Sequence, residues 1–276
     1  MTKSQEKTKK LLADLKKQVA NFDDSDFKSA LDFIAHNFRR FSYHNTMLIH
    51  MQKPKATLCK GFKQWKRLDR FVRKGEKGIA ILVPSIRKFT ETDLETGEEI
   101  EKATTRFYTG YVYDISQTGG EEIPELEAIK IGVPENTDAE PFFKVLPSVV
   151  ENFGLGFGTK NTGQAGGWTD GRKIVVSDSS NHATVVNTVF HELGHALLHF
   201  REDRATLSKE QRELEAESVS YVVAQHFGLH SDSVSYLGIW TKEIDLMKSL
   251  ERIHETAGKV IDAFQKVVGK TETKTA

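Results

Sequence analysis

The sequence contains a single cysteine, Cys59, among 276 residues. One thiol excludes a disulfide within the chain, and it also excludes a zinc site built from several cysteines. Any metal site must therefore use histidine and carboxylate ligands. The scarcity of cysteine is typical of a reducing compartment, and we expect a cytoplasmic protein.

Long apolar runs and net charge are absent as well. No stretch approaches the roughly 20 apolar residues that span a bilayer. The polar start from Met1 to Lys10 also lacks the apolar core of a secretory signal. We therefore expect no membrane partner. Lys and Arg (39) equal Asp and Glu (39), so no overall field indicates a nucleic acid or a membrane surface.

The neutral total conceals a basic segment from Lys53 to Lys88. Twelve cations face two carboxylates there, and three large aromatics are interleaved with them: Phe62, Trp65 and Phe71. Cations neutralise phosphates and exposed aromatic rings stack on unpaired bases, which favours a nucleic-acid surface. The alternative is a solvated basic hairpin whose aromatics lie in the core. For the aromatics alone the two interpretations are even, whereas the steep local charge favours binding.

Residues 191–195 carry the pattern His-Glu-x-x-His within an apolar, helical run. Two histidines four residues apart lie on the same side of a helix, because a turn takes 3.6 residues. His191 and His195 can therefore bind one Zn²⁺, and Glu192 can take a proton from a metal-bound water. The pattern predicts a metal-dependent hydrolase. We expect the strand Ile174–Val176 to offer an edge on which an extended peptide pairs.

A site of this kind needs a third protein ligand. The next predicted helix carries four glutamates: Glu210, Glu213, Glu215 and Glu217. We favour Glu215, because its apolar neighbours place it on a buried side of the helix, where a carboxylate must be paired or bind a metal. Glu213 and Glu217 are the alternatives, and either could instead orient a histidine. His199 lies one turn beyond His195, where it would support a ligand or lie at the surface.

Periodicity and capping signals predict an α+β protein. A helical and β-hairpin domain (1–120) precedes an acidic linker (121–138) and a second domain (139–276) that carries the His-Glu-x-x-His helix. In the first domain we expect a helix that ends near residue 19, two further helices at 24–38 and 43–52, and two strands at 79–83 and 104–115 with a hairpin tip at 95–98 between them. In the second domain we expect a helix at 139–152, a hairpin that turns at 170–171, a helix capped by Ser180 or Asn181, and helices at 209–227 and 243–268.

Strings along nearly the whole chain resemble the ArdC-type antirestriction proteins of plasmids and related mobile elements. The strings in the first domain are Phe41–Asn45, Gln52–Pro54, Gly61–Phe62 with Trp65, Arg73–Ile79 and Val112–Thr118. In the second domain, His191–His199 followed by Glu213–Ala216 resembles the ImmA/IrrE group of zinc metallopeptidases. Glu217 departs from the asparagine that is common in that group.

The resemblance implies a first domain that binds single-stranded DNA and a second, zincin-like metallopeptidase domain. The metal would be Zn, or Mn or another divalent ion, and the peptidase substrate would be an unidentified protein. The family implies protection of plasmid DNA that enters a new host during conjugation. Two alternatives stay open: an ImmA-like regulatory protease that cleaves a repressor, and a DNA-transfer or replication accessory with a purely structural metal. The candidate site residues are catalytic Glu192, the metal ligands His191, His195 and Glu215, and the DNA-binding residues Asn45, Lys63, Trp65, Arg67, Arg70, Arg73, Lys74 and Lys77.

Overall fold

A computed structural model describes residues 3–37, 41–92, 99–123, 138–200, 205–229 and 245–272. Over these ranges the chain is an α+β protein, as the sequence predicts. Its helices are α1 (Lys3–Val19), α2 (Asp24–Asn37), α3 (Tyr43–Gln52), α4 (Phe62–Lys66), α5 (Glu140–Asn152), α6 (His182–Leu198), α7 (Lys209–His226) and α8 (Leu246–Glu272). Its strands are β1 (Cys59–Lys60), β2 (Arg70–Val72), β3 (Ile79–Thr92), β4 (Glu99–Asp114), β5 (Thr118–Gly120), β6 (Gly156–Lys160), β7 (Gly167–Thr169) and β8 (Lys173–Ser177). None of the described helices is long and apolar enough to cross a membrane.

The chain divides into two compact units. The first comprises Met1–Val19 and Met47–Ile123, and the second comprises Ala20–Thr46 and Pro124–Ala276. Helix α2 therefore belongs to the second unit, where the Tyr221 hydroxyl of α7 donates to Asp32 of α2 at 2.6 Å. The domain limits 1–120, 121–138 and 139–276 remain a prediction, and residues 124–137 of the expected linker lie outside the described residues.

A long antiparallel ribbon of β3 and β4 dominates the first unit. The two strands pair from Ile79↔Val112 to Thr92↔Glu99. The base of the ribbon is buried at Ile79, Ile81 and Val112. Strands β1, β4 and β3 form a three-stranded sheet in that order, and β2 pairs with β5 in a separate two-stranded sheet. The strands predicted at 79–83 and 104–115 are confirmed as parts of this ribbon, while the expected tip at 95–98 lies outside the described residues.

Two polar side chains secure the base of the ribbon. Asp114, fully buried at the end of β4, accepts hydrogen bonds from the backbone N–H groups of Thr57 at 2.8 Å and Leu58 at 3.1 Å. These donors offset the cost of burying a carboxylate. The Gln52 side chain bonds to both backbone groups of Ala80 at 2.9 Å, which covers this point on the edge strand β3.

The sheet of the second unit has the order β6-β8-β7. Strand β6 is parallel to β8, and β7 is antiparallel to it, which confirms the predicted hairpin at Asp170-Gly171. The expectation that Ile174–Val176 offers a free edge is wrong, because β8 is the central strand and both of its sides are paired. The edges of this sheet belong to β6 and β7.

Helix α6 begins at one of the two predicted caps, Asn181, whose side-chain oxygen accepts from the N–H of Thr184 at 2.9 Å. Such a cap satisfies one of the orphan donors at a helix start. Helix α6 then approaches α7 closely at Gly194, where an added Cβ would lie 2.9 Å from the Ala216 Cα. Only glycine permits so close an approach. This contact places the His-Glu-x-x-His segment directly beside the glutamates of α7.

Candidate metal centre

Three side chains from α6 and α7 converge in the second unit. His191 and His195 project from the same side of α6, and their Nε2 atoms lie 3.0 Å apart. Oε2 of Glu213 lies 3.7 Å from Nε2 of His191 and 3.4 Å from Nε2 of His195. The ligand atoms of these three residues all lie within 4.8 Å of one another. A single cation can therefore contact all three side chains.

Glu215, the favoured third ligand in the sequence analysis, lies outside this cluster. It is fully buried, as its apolar neighbours predicted, but on a different side of α7. Its carboxylate contacts four other groups: Ser249 Oγ at 2.7 Å, His199 Nε2 at 3.0 Å, Arg252 Nε at 3.1 Å and Gln211 Nε2 at 3.3 Å. Glu213 and Glu217 share the side that faces the histidines, because residues four apart lie one above the other on a helix. The geometry therefore brings the alternative, Glu213, to the histidines in place of Glu215.

Nδ1 of each histidine is also within hydrogen-bond distance of a neighbouring side chain. Nδ1 of His191 lies 2.7 Å from Oε2 of Glu217. Nδ1 of His195 lies 3.0 Å from Nδ1 of His199. A carboxylate can only accept, so Nδ1 of His191 is the donor, and in the neutral imidazole Nε2 carries the lone pair that a metal needs. Contacts of this kind orient metal-binding histidines in known sites.

Glu192 lies next to His191 on α6 and is largely buried. Burial raises the pKa of its carboxyl group above the ordinary value, and the charge of Glu213 adds to this effect, while His191 opposes it. Burial alone would lower the pKa of His191, but the hydrogen bond to Glu217 and the surrounding carboxylates raise it above its usual value. A carboxylate with a raised pKa suits proton transfer near neutral pH.

The donor set fits a divalent metal. Two imidazole nitrogens and one carboxylate oxygen are the ligands of many zinc sites that keep a fourth position for water. Imidazole and carboxylate ligands can also bind Mn²⁺. The two Nε2 atoms lie 3.0 Å apart, and both face the same position as the Glu213 carboxylate.

Two of the predicted DNA-binding residues are buried. Trp65 is completely buried in the first unit, and its indole N–H donates to the Tyr113 carbonyl at 2.8 Å. A ring in this position cannot stack on a base, so the assignment of Trp65 to the DNA surface is corrected to a core position. Asn45 in α3 is also buried and offers little surface to a phosphate or a base.

The predicted cations divide into two groups. Lys63, Arg67, Lys74 and Lys77 are exposed and make no ion pair with another described residue. Arg70 and Arg73 instead donate to backbone carbonyls near β5. Arg70 bonds to the oxygens of Gly120, at 3.2 Å, and of Glu121, while Arg73 bonds to that of Ser116. These two arginines therefore hold the first unit together, whatever else they bind.

Exposed aromatics on the ribbon were missed in the sequence. Phe107 and Tyr108 of β4 and Phe89 of β3 are each more than two-fifths exposed, as are Phe62 and Phe71 nearer the basic segment. A sequence signal was present, because Phe107 and Tyr108 are adjacent. Neighbouring residues of a strand point to opposite faces, so a single core cannot cover both rings.

Together these features define an α+β protein with a basic, aromatic first unit and a candidate metal centre in its second unit. Residues 2–113 match the family of the N-terminal domain of anti-restriction factor ArdC. The match covers 112 of the 276 residues, so it is this N-terminal segment that is similar to the ArdC N-terminal domain.

Three further similarities accompany the family match. The chain is 27% identical over 321 residues to an uncharacterized protein of Bacillus anthracis, covering 97% of this chain and 53% of the relative. It thus spans about half the length of the curated relative. The metal-free structure of the antirestriction ArdC protein from the R388 plasmid is 22% identical, with a TM-score of 0.46, over 80% of this chain and 84% of that chain. The Mn(II)-bound structure of the same protein is 18% identical, with a TM-score of 0.43, over 80% and 87%.

Proposed function

We propose that this chain is an antirestriction protein with two linked parts. The first unit binds single-stranded DNA, and the second is a zincin-like peptidase domain that uses zinc or another divalent metal. The protein would act in the cytoplasm of a cell that receives plasmid DNA. The membership of residues 2–113 in the ArdC family supports the antirestriction role. The observation that carries the peptidase part is the convergence of His191, His195 and Glu213 beside Glu192.

For the metal we propose His191, His195 and Glu213 as the protein ligands. Glu213 is preferred to Glu215 because its oxygen lies beside both Nε2 atoms, whereas the four contacts of Glu215 hold that carboxylate elsewhere. When bound, the metal would polarise a carbonyl group and make a water molecule more acidic. Glu192 would accept the proton of the attacking water and deliver it to the leaving amine.

The edge strand β7 is the natural place for an extended peptide. An added Cβ at Gly167 would lie 2.7 Å from Thr188 Cγ2, so β7 packs tightly against α6. Thr188 lies three residues before His191, less than one helical turn from the first ligand. A peptide paired with the outer side of β7 through its backbone would therefore run past the metal position.

Zinc binding and hydrolysis test the two roles separately. We expect Glu213→Gln to weaken Zn²⁺ affinity by more than the roughly 10- to 100-fold that the loss of an outer contact causes. Glu210→Gln, on the exposed side of the same helix, is the matched control and should bind Zn²⁺ like the parent. Glu192→Gln should keep the metal and lose hydrolysis of casein peptides. Parent-like zinc affinity in Glu213→Gln would refute the ligand assignment, and full hydrolysis by metal-loaded Glu192→Gln would refute the role of Glu192.

The DNA-binding part rests on exposed cations beside exposed aromatic rings. Lys63 follows the exposed ring of Phe62, and the exposed cation Arg106 lies on the same face of β4 as the exposed ring of Tyr108. This combination suits a strand whose phosphates are neutralised while its unpaired bases stack. Duplex DNA offers no unpaired bases, so single strands should bind more tightly to the first unit.

The salt dependence of binding tests this surface. Lys74→Ala with Lys77→Ala removes two exposed cations, and the log–log slope of affinity against salt should fall by about 1.4 if both contact phosphates of a single strand. Lys259→Ala with Lys266→Ala removes the same charge from exposed positions of α8 in the second unit and serves as the control. An unchanged slope in the first pair, or an equal change in both pairs, would contradict the assignment.

A further inference from the structure

We infer that His199 and Glu215 are positioning residues that hold the imidazole of His195 in the tautomer required for metal binding. The inference rests on the proposed metal centre, and it gives a role to two side chains that are not ligands in that centre. His199 lies at the C-terminal end of α6, one turn beyond His195, and is almost completely buried. Glu215 lies on α7 and is fully buried.

The three side chains form one continuous line of contacts. Nδ1 of His195 lies 3.0 Å from Nδ1 of His199, and Nε2 of His199 lies 3.0 Å from Oε2 of Glu215. Because the carboxylate can only accept, Nε2 of His199 must donate to it. A neutral imidazole has one donor and one acceptor, so Nδ1 of His199 is then the acceptor. It follows that Nδ1 of His195 donates and that its Nε2 carries the lone pair.

The start of the line is fixed by the surroundings of Glu215. Ser249 of α8 donates to Oε1 at 2.7 Å, and the Arg252 guanidinium of α8 forms an ion pair with Oε2 at 3.1 Å. Arg252 also donates to the Leu198 carbonyl at the last residue of α6, at 2.9 Å. With Ser249 and the Arg252 guanidinium directed at its two oxygens, the Glu215 carboxylate acts as a hydrogen-bond acceptor. Helix α8 therefore sets the direction of every hydrogen bond as far as His195.

The two candidate metal-binding histidines thus share one tautomer, with the proton on Nδ1, but different partners hold them in it. His191 contacts Glu217 directly, at 2.7 Å, whereas His195 is held through an intermediate imidazole. The intermediate is needed because Glu215 points to the side of α7 that faces α8. A histidine at position 199 spans this separation with two nitrogens, one for each neighbour.

The tautomer of His195 in the metal-free protein is the direct test. Two-bond ¹H–¹⁵N correlation spectra of uniformly labelled protein distinguish the Nδ1–H form from the Nε2–H form. We expect Nδ1–H at His195 in the parent and a shift toward Nε2–H in His199→Leu, which has no acceptor. In His199→Asn the side-chain oxygen can occupy the place of Nδ1, so the parent tautomer should return. Glu210→Gln, at an exposed position of α7 away from these contacts, is the control and should leave His195 unchanged.

Metal affinity is the second readout. We expect His199→Leu to bind Co²⁺ roughly 10- to 100-fold more weakly than the parent, and His199→Asn to recover most of the loss. Should His199→Leu fail to fold, His199→Gln takes its place, because its amide nitrogen can replace Nε2 and reach Glu215, whereas no acceptor replaces Nδ1 beside His195. The inference is overturned if His195 keeps Nδ1–H without an acceptor at position 199, or if Asn and Leu behave alike. A parent protein that binds no metal would instead defeat the proposed metal centre, and the tautomer measurement would still decide the role of His199.

Discussion

His254 on α8 should make the stability of the second unit depend on pH. The side chain is 8% exposed, its Nε2 has no hydrogen-bond partner among the described residues, and its ring lies 6.1 Å from that of Tyr43. Burial lowers the pKa of His254 from its ordinary value of 6.5 to about 4. The folded protein therefore holds this imidazole neutral at a pH where the unfolded chain binds a proton.

The sign and size of the effect follow from this difference. Well above pH 6.5 the His254 imidazole is neutral in both the folded and the unfolded protein, so its pKa difference does not change the free energy of unfolding. As the pH falls below 6.5 the unfolded state gains a proton first, so folding weakens by about 1.4 kcal/mol per pH unit until the folded pKa near 4 is reached. The total loss is about 3 kcal/mol, and about 2 kcal/mol of it is already present at pH 5.

Urea unfolding of the parent and of His254→Leu, followed by circular dichroism at pH 7.5 and pH 5, measures this contribution. Leucine has a similar volume and does not titrate, so other groups cancel in the comparison. At pH 7.5 the variant should be at least as stable as the parent, because a buried nitrogen without a partner costs about 1–3 kcal/mol. At pH 5 the variant should have gained a further 2 kcal/mol, approximately, over the parent. Parallel loss of stability in both proteins would refute the reasoning.

Two further substitutions test the fold itself. Trp65→Phe removes a buried N–H and leaves the Tyr113 carbonyl without its donor, so the free energy of unfolding should fall by about 2 kcal/mol while single-strand affinity stays unchanged. Weaker binding at unchanged stability would show that the ring meets DNA after all. Asn181→Ala removes the N-cap of α6 and should lower the free energy of unfolding by about 1 kcal/mol in thermal or urea melts, whereas Ser180→Ala, beside it, should have little effect.

The metal-binding pattern itself could be predicted because its spacing matches a helical turn. The third member of the candidate metal centre was harder to predict. Apolar neighbours correctly indicated that Glu215 is buried, but burial does not say which neighbour a residue faces. Helix α7 is covered on more than one side, and Glu215 faces Ser249 of α8. The i, i+4 spacing of Glu213 and Glu217 repeats that of the two histidines and was the better guide.

The same ambiguity affected the first unit. Composition identified a basic, aromatic surface, but it could not decide which rings belong to the core. Trp65 was assigned to the surface and is buried, while Phe107 and Tyr108 were treated as ordinary strand residues and are exposed. The extents of β3 and β4 also exceed the predicted strands, because their outer halves lack the apolar alternation of a covered sheet. Cross-strand pairing sustains them there, and pairing is a long-range property.

The contact between Gly194 and Ala216 bears on how the protein would respond to loss of a metal from the proposed centre. Because the two ligand-bearing helices touch through their backbones, their spacing is set by packing and does not depend on a cation between them. Metal binding at the proposed centre would then require little ordering of the chain, in contrast to small zinc modules that are unfolded without metal. The metal-free protein should retain its shape, so that the supply of metal in the cell would control chemistry in the second unit without controlling the abundance of the folded protein.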